Sequence, residues 1–406
     1  MERIYLDNNA TTAVLPEVAE AIGRAFAAGY GNAASQHWAG RPARRALEGA
    51  RESIAELLGA ECQSVRADQV IFTSGGTEAN NLAIWGLAGL GTPGARPGHA
   101  IISSIEHPSV VGAATRLQEL GWEIDRLPCS ASGVTDVDRL PDLLRAETRL
   151  VSIVLGNNET GVLQPVARAA EICAERGVPL HTDAVQVAGK APIDFRALGV
   201  AAMTISAHKF HGPVGIAALI VRDGQTITPL LRGGFQQAGL RPGTEPVALA
   251  IGMQTALEHW GRERDAISAQ LSSLRDTFEQ ALLAGWPTAV INGAAGPRLP
   301  HTSNVAFPGF SRQALMMALD LAGVACSTGS ACASGSPEPS PTLVAMGCER
   351  SVVEGSLRFS FGQLTSREET LEAVQRILKV CNDLRSGKSS EKRALAGTAE
   401  GAILLE

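Results

Sequence analysis

The sequence predicts an α/β protein with two domains: a large one on a mainly parallel sheet, residues 15–250, and a smaller α+β domain from 1–14 and 251–385. Three observations carry that prediction. The 406 residues are enough for a large core and two domains. Five segments between residues 69 and 210 each run a short apolar strand into polar or glycine-rich residues: QVIFTSGGTEANN, HAIISSIEHPSV, LVSIVLGNNETG, VPLHTDAVQ and VAAMTISAHKF. Helical patterns such as PVARAAEICAE lie between several of them. Strands alternating with helices favour parallel pairing, because each crossover has room for a helix.

QVIFT reads as a strand, and SGGTEANN as the turn into the apolar helical run NLAIWGLAG. Gly75 and Gly76 let backbone N–H groups face an anion, the helix start adds a favourable dipole, and Thr77 adds a hydroxyl. The plain alternative is a helix capped by Ser74 or Thr77. The stretch is neither a Walker loop nor a GxGxxG turn. The next strand delivers His107 before Pro108, either a satisfied structural histidine or a flat plate for a ligand. LVSIVLG delivers Asn158. VPLHT delivers Asp183, with Gln186 close behind. Asp183 is either a helix cap or a carboxylate that keeps a ring nitrogen protonated.

VAAMTI and VGIAALIV then flank SAHKFHGP, which holds Ser206, His208 and Lys209. Both runs have strand length and β-branched content. A lysine close to apolar surroundings gives up its proton readily, and the neutral amine can form a Schiff base. The bland alternative is a hairpin turn with its lysine in water. Open parallel sheets bind ligands beyond the carboxyl ends of their strands. All these polar residues sit at such ends, and together they predict one site.

The second domain is announced by NVAFPGF, the helix SRQALMMALDLAG capped by Ser311, and a TSRE capping box before the last helix. The stretch 327–341 is rich in Ser, Gly, Ala and Pro and reads as a mobile loop carrying Cys332. An exposed thiol is a liability, so its presence there suggests chemistry. Cys326, just after the apolar LAGVA, reads as buried and inert. If GSLRFSFG alternates, Leu357, Phe359 and Phe361 face the core and Arg358 the other side. Arg358 is then a solvated charge or a bidentate grip on a substrate carboxylate. Residues 386–406 read as a loosely held, flexible tail.

Composition narrows the function classes. The formal net charge is −6, with 45% hydrophobic and 19% charged residues, and no basic cluster suggests direct nucleic-acid binding. No apolar run reaches membrane-span length, so no membrane role is expected. Seven cysteines are spread singly without a CxxC pair, which fits reduced thiols in a cytoplasmic protein. One cofactor uses the whole predicted site. Pyridoxal 5'-phosphate needs a Schiff-base lysine, a carboxylate on its ring nitrogen and an anion site for its phosphate. Lys209, Asp183 and the Gly76–Thr77 helix start supply these, with Ser206 and His208 as further phosphate donors.

The motifs YLDNNATT, TSGGTEANN, EHPSV, GNNETG, HTDAVQ, SAHKFHGP, LRPGTEPV, GSACASGS and SLRFSFG stand in that order from Tyr5 to about Gly362. This series resembles the cysteine desulfurases, pyridoxal-phosphate enzymes with the class V aminotransferase (type I transferase) fold. The long Cys-bearing loop resembles the subgroup that serves iron–sulfur cluster assembly or tRNA thiolation. The resemblance implies that Lys209 bonds the cofactor and moves the proton at the substrate Cα, and that Asp183 pairs with the ring nitrogen. Gln186 would meet the ring hydroxyl, and His107 would stack on the ring and share in catalysis. Gly76, Thr77, Ser206 and His208 would bind phosphate, joined by Thr244 from the partner subunit of a homodimer. Asn158 and Arg358 would hold cofactor and substrate carboxylate. Cys332 would take sulfur from L-cysteine as a persulfide, leave L-alanine, and pass the sulfur to an acceptor such as an iron–sulfur scaffold protein. The same cysteine is a candidate shared ligand to a cluster's metal. Departures from the family pattern fall at Ala33, Val214, around Phe235 and at Gln363. Other readings are a selenocysteine lyase or aminotransferase of the same fold, and a non-catalytic cofactor- or phosphate-binding partner protein.

Overall fold

The structure, a computed structural model, describes residues 2–92, 94, 96–329 and 338–400, with side chains through 387. It is an α/β fold with twelve strands among the described residues. They are β1 (Ile4–Tyr5), β2 (Gln69–Thr73), β3 (His99–Ser103), β4 (Glu123–Leu127), β5 (Thr148–Ser152) and β6 (Leu180–Asp183). The rest are β7 (Ala202–Ser206), β8 (Ala217–Val221), β9 (Val290–Asn292), β10 (Thr302–Ala306), β11 (Val324–Ala325) and β12 (Ser356–Ser360).

Seven strands form the large sheet in the order β2-β8-β7-β6-β5-β3-β4. Neighbours from β7 to β4 pair in parallel, and β8 runs antiparallel to both β7 and β2. The ends of β2, β3, β5, β6 and β7 therefore point to one edge, where the chemistry-bearing residues follow them. β3, β7 and β8 are buried along their whole length. This is why their sequences read as unbroken apolar runs and not as alternation.

A second sheet, β12-β10-β9, and the β1–β11 pair build the other core. The Val247–Gly285 helix crosses from one core to the other. Its Val247 to Leu257 pack with the large sheet, and Trp260 to Leu282 pack with Leu357, Phe359 and Phe361. The boundary expected at 250/251 thus falls inside this helix. Phe278 sits 4.9 Å from Phe359 and 5.5 Å from Phe361, ring centre to ring centre. Such pairs contribute about 0.5–1.5 kcal/mol each beyond burial.

Two local expectations need correction. The capping box opening the last helix is Ser366 with Glu369, one residue beyond the TSRE reading. Thr365 instead accepts the Gly362 N–H through its hydroxyl. Ser311 stands at the N-cap of Arg312–Leu321 but makes no side-chain cap bond. The helix that starts at Arg367 continues to Glu400, through most of the segment that reads as a flexible tail. Once nucleated, a helix propagates easily through Ala, Leu, Glu, Lys and Arg, which dominate EKRALAGTAE. No helix among the described residues is long and apolar enough to cross a membrane.

Candidate active site

At the strand-end edge lies a cavity of about 210 Å³ lined by residues from every one of the five segments. Gly76, Thr77, His107, Asn158, Asp183, Gln186, Ser206, His208 and Lys209 all face it. The Gly76–Leu87 helix opens here on Gly75 without a side-chain cap, so neither Ser74 nor Thr77 occupies its first N–H groups. Ser206 Oγ is buried without a hydrogen-bond partner among the described residues. A Cβ on Gly76 would lie 3.3 Å from Val185 Cγ2 and 3.5 Å from Ser206 Cβ. The uncapped helix start and the unpartnered hydroxyl form an anion cradle that any side chain at position 76 would crowd.

Across the cavity Asp183 is oriented from two sides. Its Oδ2 accepts from Asn80 Nδ2 at 2.7 Å and its Oδ1 from the Val185 N–H at 2.9 Å. Each carboxylate oxygen keeps a free lone pair for a further donor. His107 caps the Pro108–Glu119 helix, accepting the Ser109 N–H, while its Nδ1 lies 2.7 Å from Ser109 Oγ. Burial lowers its pKa, with Asp183 opposing and Lys209 and Arg358 reinforcing, so its ring is neutral. His208 is pushed down to about 4 by burial, Lys209 and Lys190. Lys209 Nζ donates to the backbone carbonyls of Asn9 at 2.6 Å and Ala10 at 2.8 Å.

The sequence reading missed this floor. Asn9 also receives Gln186 Nε2 on its carbonyl at 3.0 Å, and its own Nδ2 reaches Thr302 Oγ1 at 2.9 Å and the Asn158 carbonyl at 3.2 Å. YLDNNATT has the same pattern as the five segments, a short strand then a polar run, and that signal was available. Asn80, Ser109, Val154, Gly156 and Val185 complete the lining.

Arg358 is 1% exposed, which rules out the solvated-charge reading. Its Nη2 pairs with Asp7 Oδ1 at 2.7 Å, and its Nη1 donates to the carbonyls of Asn158 and Gly329. Its Nε has no partner among the described residues. Ser327 pairs with Arg358 through two backbone hydrogen bonds, and Ser340 Oγ donates to Glu159 Oε2 at 2.6 Å. Both flanks of 330–337 are thus tied beside Asn158. Cys332, and with it the shared-metal assignment, lies outside the described residues. Cys326 is half-buried, and burial with Asp7 nearby pushes its thiol well above the usual range. Thr244 is exposed and is not brought to the cavity by its own chain. Of the departures, Ala33 is buried, Val214 and Phe235 are exposed, and Gln363 Oε1 lies 2.9 Å from His259 Nε2.

Glu106, under the site, accepts from Ser103 Oγ and the Val154 N–H, both at 2.7 Å, through one oxygen. Burial raises its pKa to about 8, with Asp183 adding to the rise. The folded state therefore holds a proton that the unfolded chain releases near its ordinary value of about 4.3. Stability from this group is full below that value and is lost as pH rises to about 8. Glu106→Gln should gain on the parent protein between pH 5 and 8, by about 1.4 kcal/mol for each pH unit crossed. Urea unfolding of the cofactor-free proteins at both pH values checks this. A constant gap would mean that Glu106 is already ionised in the fold.

Comparison with known proteins gives a consistent result. The family model described as aminotransferase class-V matches residues 4–374. The chain is 42% identical over 380 residues to cysteine desulfurase IscS of Dictyoglomus turgidum, covering 93% of this chain and 94% of that one. It is 37% identical over 388 residues to cysteine desulfurase NifS of Azotobacter vinelandii, covering 95% and 94%. Among solved structures, a NifS-like protein aligns with a TM-score of 0.85 at 32% identity, covering 94% of this chain and 99% of that one. SspA in complex with cysteine aligns with a TM-score of 0.76 at 31% identity, covering 89% and 100%.

Proposed function

The chain belongs to the class-V aminotransferase family and is a cysteine desulfurase, and from that premise we propose which residues carry the reaction. The observation that supports the assignment is the single cavity shared by Lys209, Asp183 and the uncapped Gly76 helix start. The family depends on pyridoxal phosphate, and this lining fits it: an amine, a fixed carboxylate, and an anion cradle with an unpartnered hydroxyl. When bound, the cofactor supplies an electron sink for a carbanion at the substrate Cα.

The chain's own residues do the rest. Gly76, Thr77, Ser206 and His208 bind the phosphate. Asp183, held by Asn80 and the Val185 N–H, would pair with the ring nitrogen, and Gln186 would donate to the ring oxygen. His107, fixed by Ser109, would lie against the ring. Lys209 would hold the cofactor and move the proton at the substrate Cα. Its position between strand β7 and the Asn9 carbonyl keeps it at the cavity wall. Asn158 and Arg358 receive the substrate carboxylate, with the Arg358 Nε–H still unspent.

Cys332 then attacks the substrate sulfur as a thiolate. An S–S bond forms, the C–S bond breaks with its electron pair returning to the carbon skeleton, and that skeleton leaves as alanine. The persulfide passes to an acceptor such as an iron–sulfur scaffold protein.

Cysteine desulfurases act on L-cysteine and are usually dimeric. We extend this to a homodimer in which Thr244 completes the partner's phosphate site. Phe235, 95% exposed nine residues before Thr244, leaves apolar surface on that segment for a second copy. The activity itself is tested by supplying the cofactor-loaded protein with L-cysteine. Alanine and protein persulfide should appear in equal amounts in the first turnover. Turnover of glutamate with a keto acid and no persulfide would make it an aminotransferase, and preference for selenocysteine a lyase.

A further inference from the structure

Lys190 ends the turn DAVQVAGK that begins at Asp183. Gly189 before it has φ +71°, and a Cβ there would lie 2.3 Å from Phe210 Cβ, so only glycine lets the turn close against the residue after Lys209. Lys190 is 5% exposed. Its Nζ donates to Gln186 Oε1 at 2.8 Å. Among the described residues the Nζ has no other hydrogen-bond partner and no carboxylate within ion-pair distance. Burying an amine without a counter-charge is costly, and an apolar residue of that size would cost less. The polar end makes one contact, and that contact is to a residue lining the cavity.

A carboxamide presents an oxygen and an NH₂ of nearly equal shape, and its partners decide which points where. Gln186 is held at both ends: its oxygen takes the Lys190 proton and its nitrogen donates to the Asn9 carbonyl. The second N–H is left for the cavity. Without Lys190 the amide oxygen would be buried and unpaired. The amide could repair that only by turning, which would bring its oxygen toward the cavity.

We propose that Lys190 is a positioning residue for the desulfurase reaction: it fixes the Gln186 carboxamide so that a donor N–H stays on the ring oxygen of the bound cofactor. This rests on the reading that Gln186 meets that oxygen. A donor there stabilises the oxygen's anionic form and weakens its hold on the proton shared with the Lys209 nitrogen. The charged and titratable groups around Lys190 are Lys209, Arg358, His208, His211 and His301. Burial, with Lys209 and Arg358 beside it, pushes the Lys190 amine well below its ordinary range.

The test is the pH midpoint of the visible absorbance change of the cofactor-loaded protein, read in Lys190→Met, Gln186→Ala and the double variant. Lys190→Met should raise the midpoint by about one pH unit, the size expected when a hydrogen bond to a charged oxygen is lost. In the Gln186→Ala background it should cause no further shift. Removing a charge would also raise the midpoint, but that effect would persist without Gln186, and its persistence would overturn the proposal. So would an unmoved midpoint in Lys190→Met alongside a shifted one in Gln186→Ala. If Gln186→Ala itself leaves the midpoint in place, the assignment of Gln186 falls and this proposal with it. Lys190→Gln keeps an N–H toward Gln186 and should stay near the parent value; a shift as large as that of Lys190→Met would also count against the idea.

Discussion

Lys209→Ala should lose turnover by at least about 10³-fold, the scale for removing a positioned proton-transfer group. The covalent link to the cofactor disappears with the same substitution, so the purified variant should lose the yellow colour of the parent or hold the cofactor only loosely. Borohydride treatment of the parent protein should fix the cofactor on the peptide containing Lys209. The nearest competitor is Lys190, which is more buried but engaged with Gln186 and not part of the cavity lining. Recovery of the label on Lys190 would reverse the two assignments. The inactive chain also reports on the dimer. Mixed with a Thr244→Ala chain whose lysine is intact, it should form one site with both lesions and one with neither. Activity should then return in part, and verified subunit exchange without any return would argue that sites are not shared.

Cys332→Ala should leave cofactor absorbance and cysteine binding intact, because neither uses the thiol. Alanine release and persulfide transfer should both fall to background. The thiolate is the attacking species, so the assignment needs a thiol whose proton leaves easily. Cys326, four residues before Ser330, fails that requirement, because burial and Asp7 hold its proton on. Cys326→Ala should cost about 1 kcal/mol of stability through lost packing, with turnover kept. Cys173 and Cys381, both pushed up to about 12 by burial, are likewise unsuited to attack. A Cys332→Ala protein that released sulfide from cysteine at the parent rate would exclude Cys332 as the nucleophile.

Much of the candidate site was legible because strand ends announce themselves. An apolar run followed by Gly-Gly-Thr, His-Pro, Asn-Asn or Thr-Asp is a local signal, and parallel pairing puts such ends on one edge. Nine of the residues read this way line the cavity. Arg358 was placed on the correct side of β12 by alternation alone, since Phe359 and Phe361 had to meet the apolar core. What alternation could not give was its environment. It is buried because Asp7, Asn158 and Gly329, from three distant segments, close around it.

Strand–helix alternation, the polar strand ends, the lysine, the carboxylate and the glycine-rich helix start all follow from short-range pattern and composition. Long-range packing is what brings Lys209 to the Asn9 and Ala10 carbonyls, turns Lys190 to Gln186 and threads one helix through both cores. Backbone carbonyls carry no residue signature, and a buried amine finds its partner through packing at long sequence separation. Those contacts exist only after the chain has closed on itself.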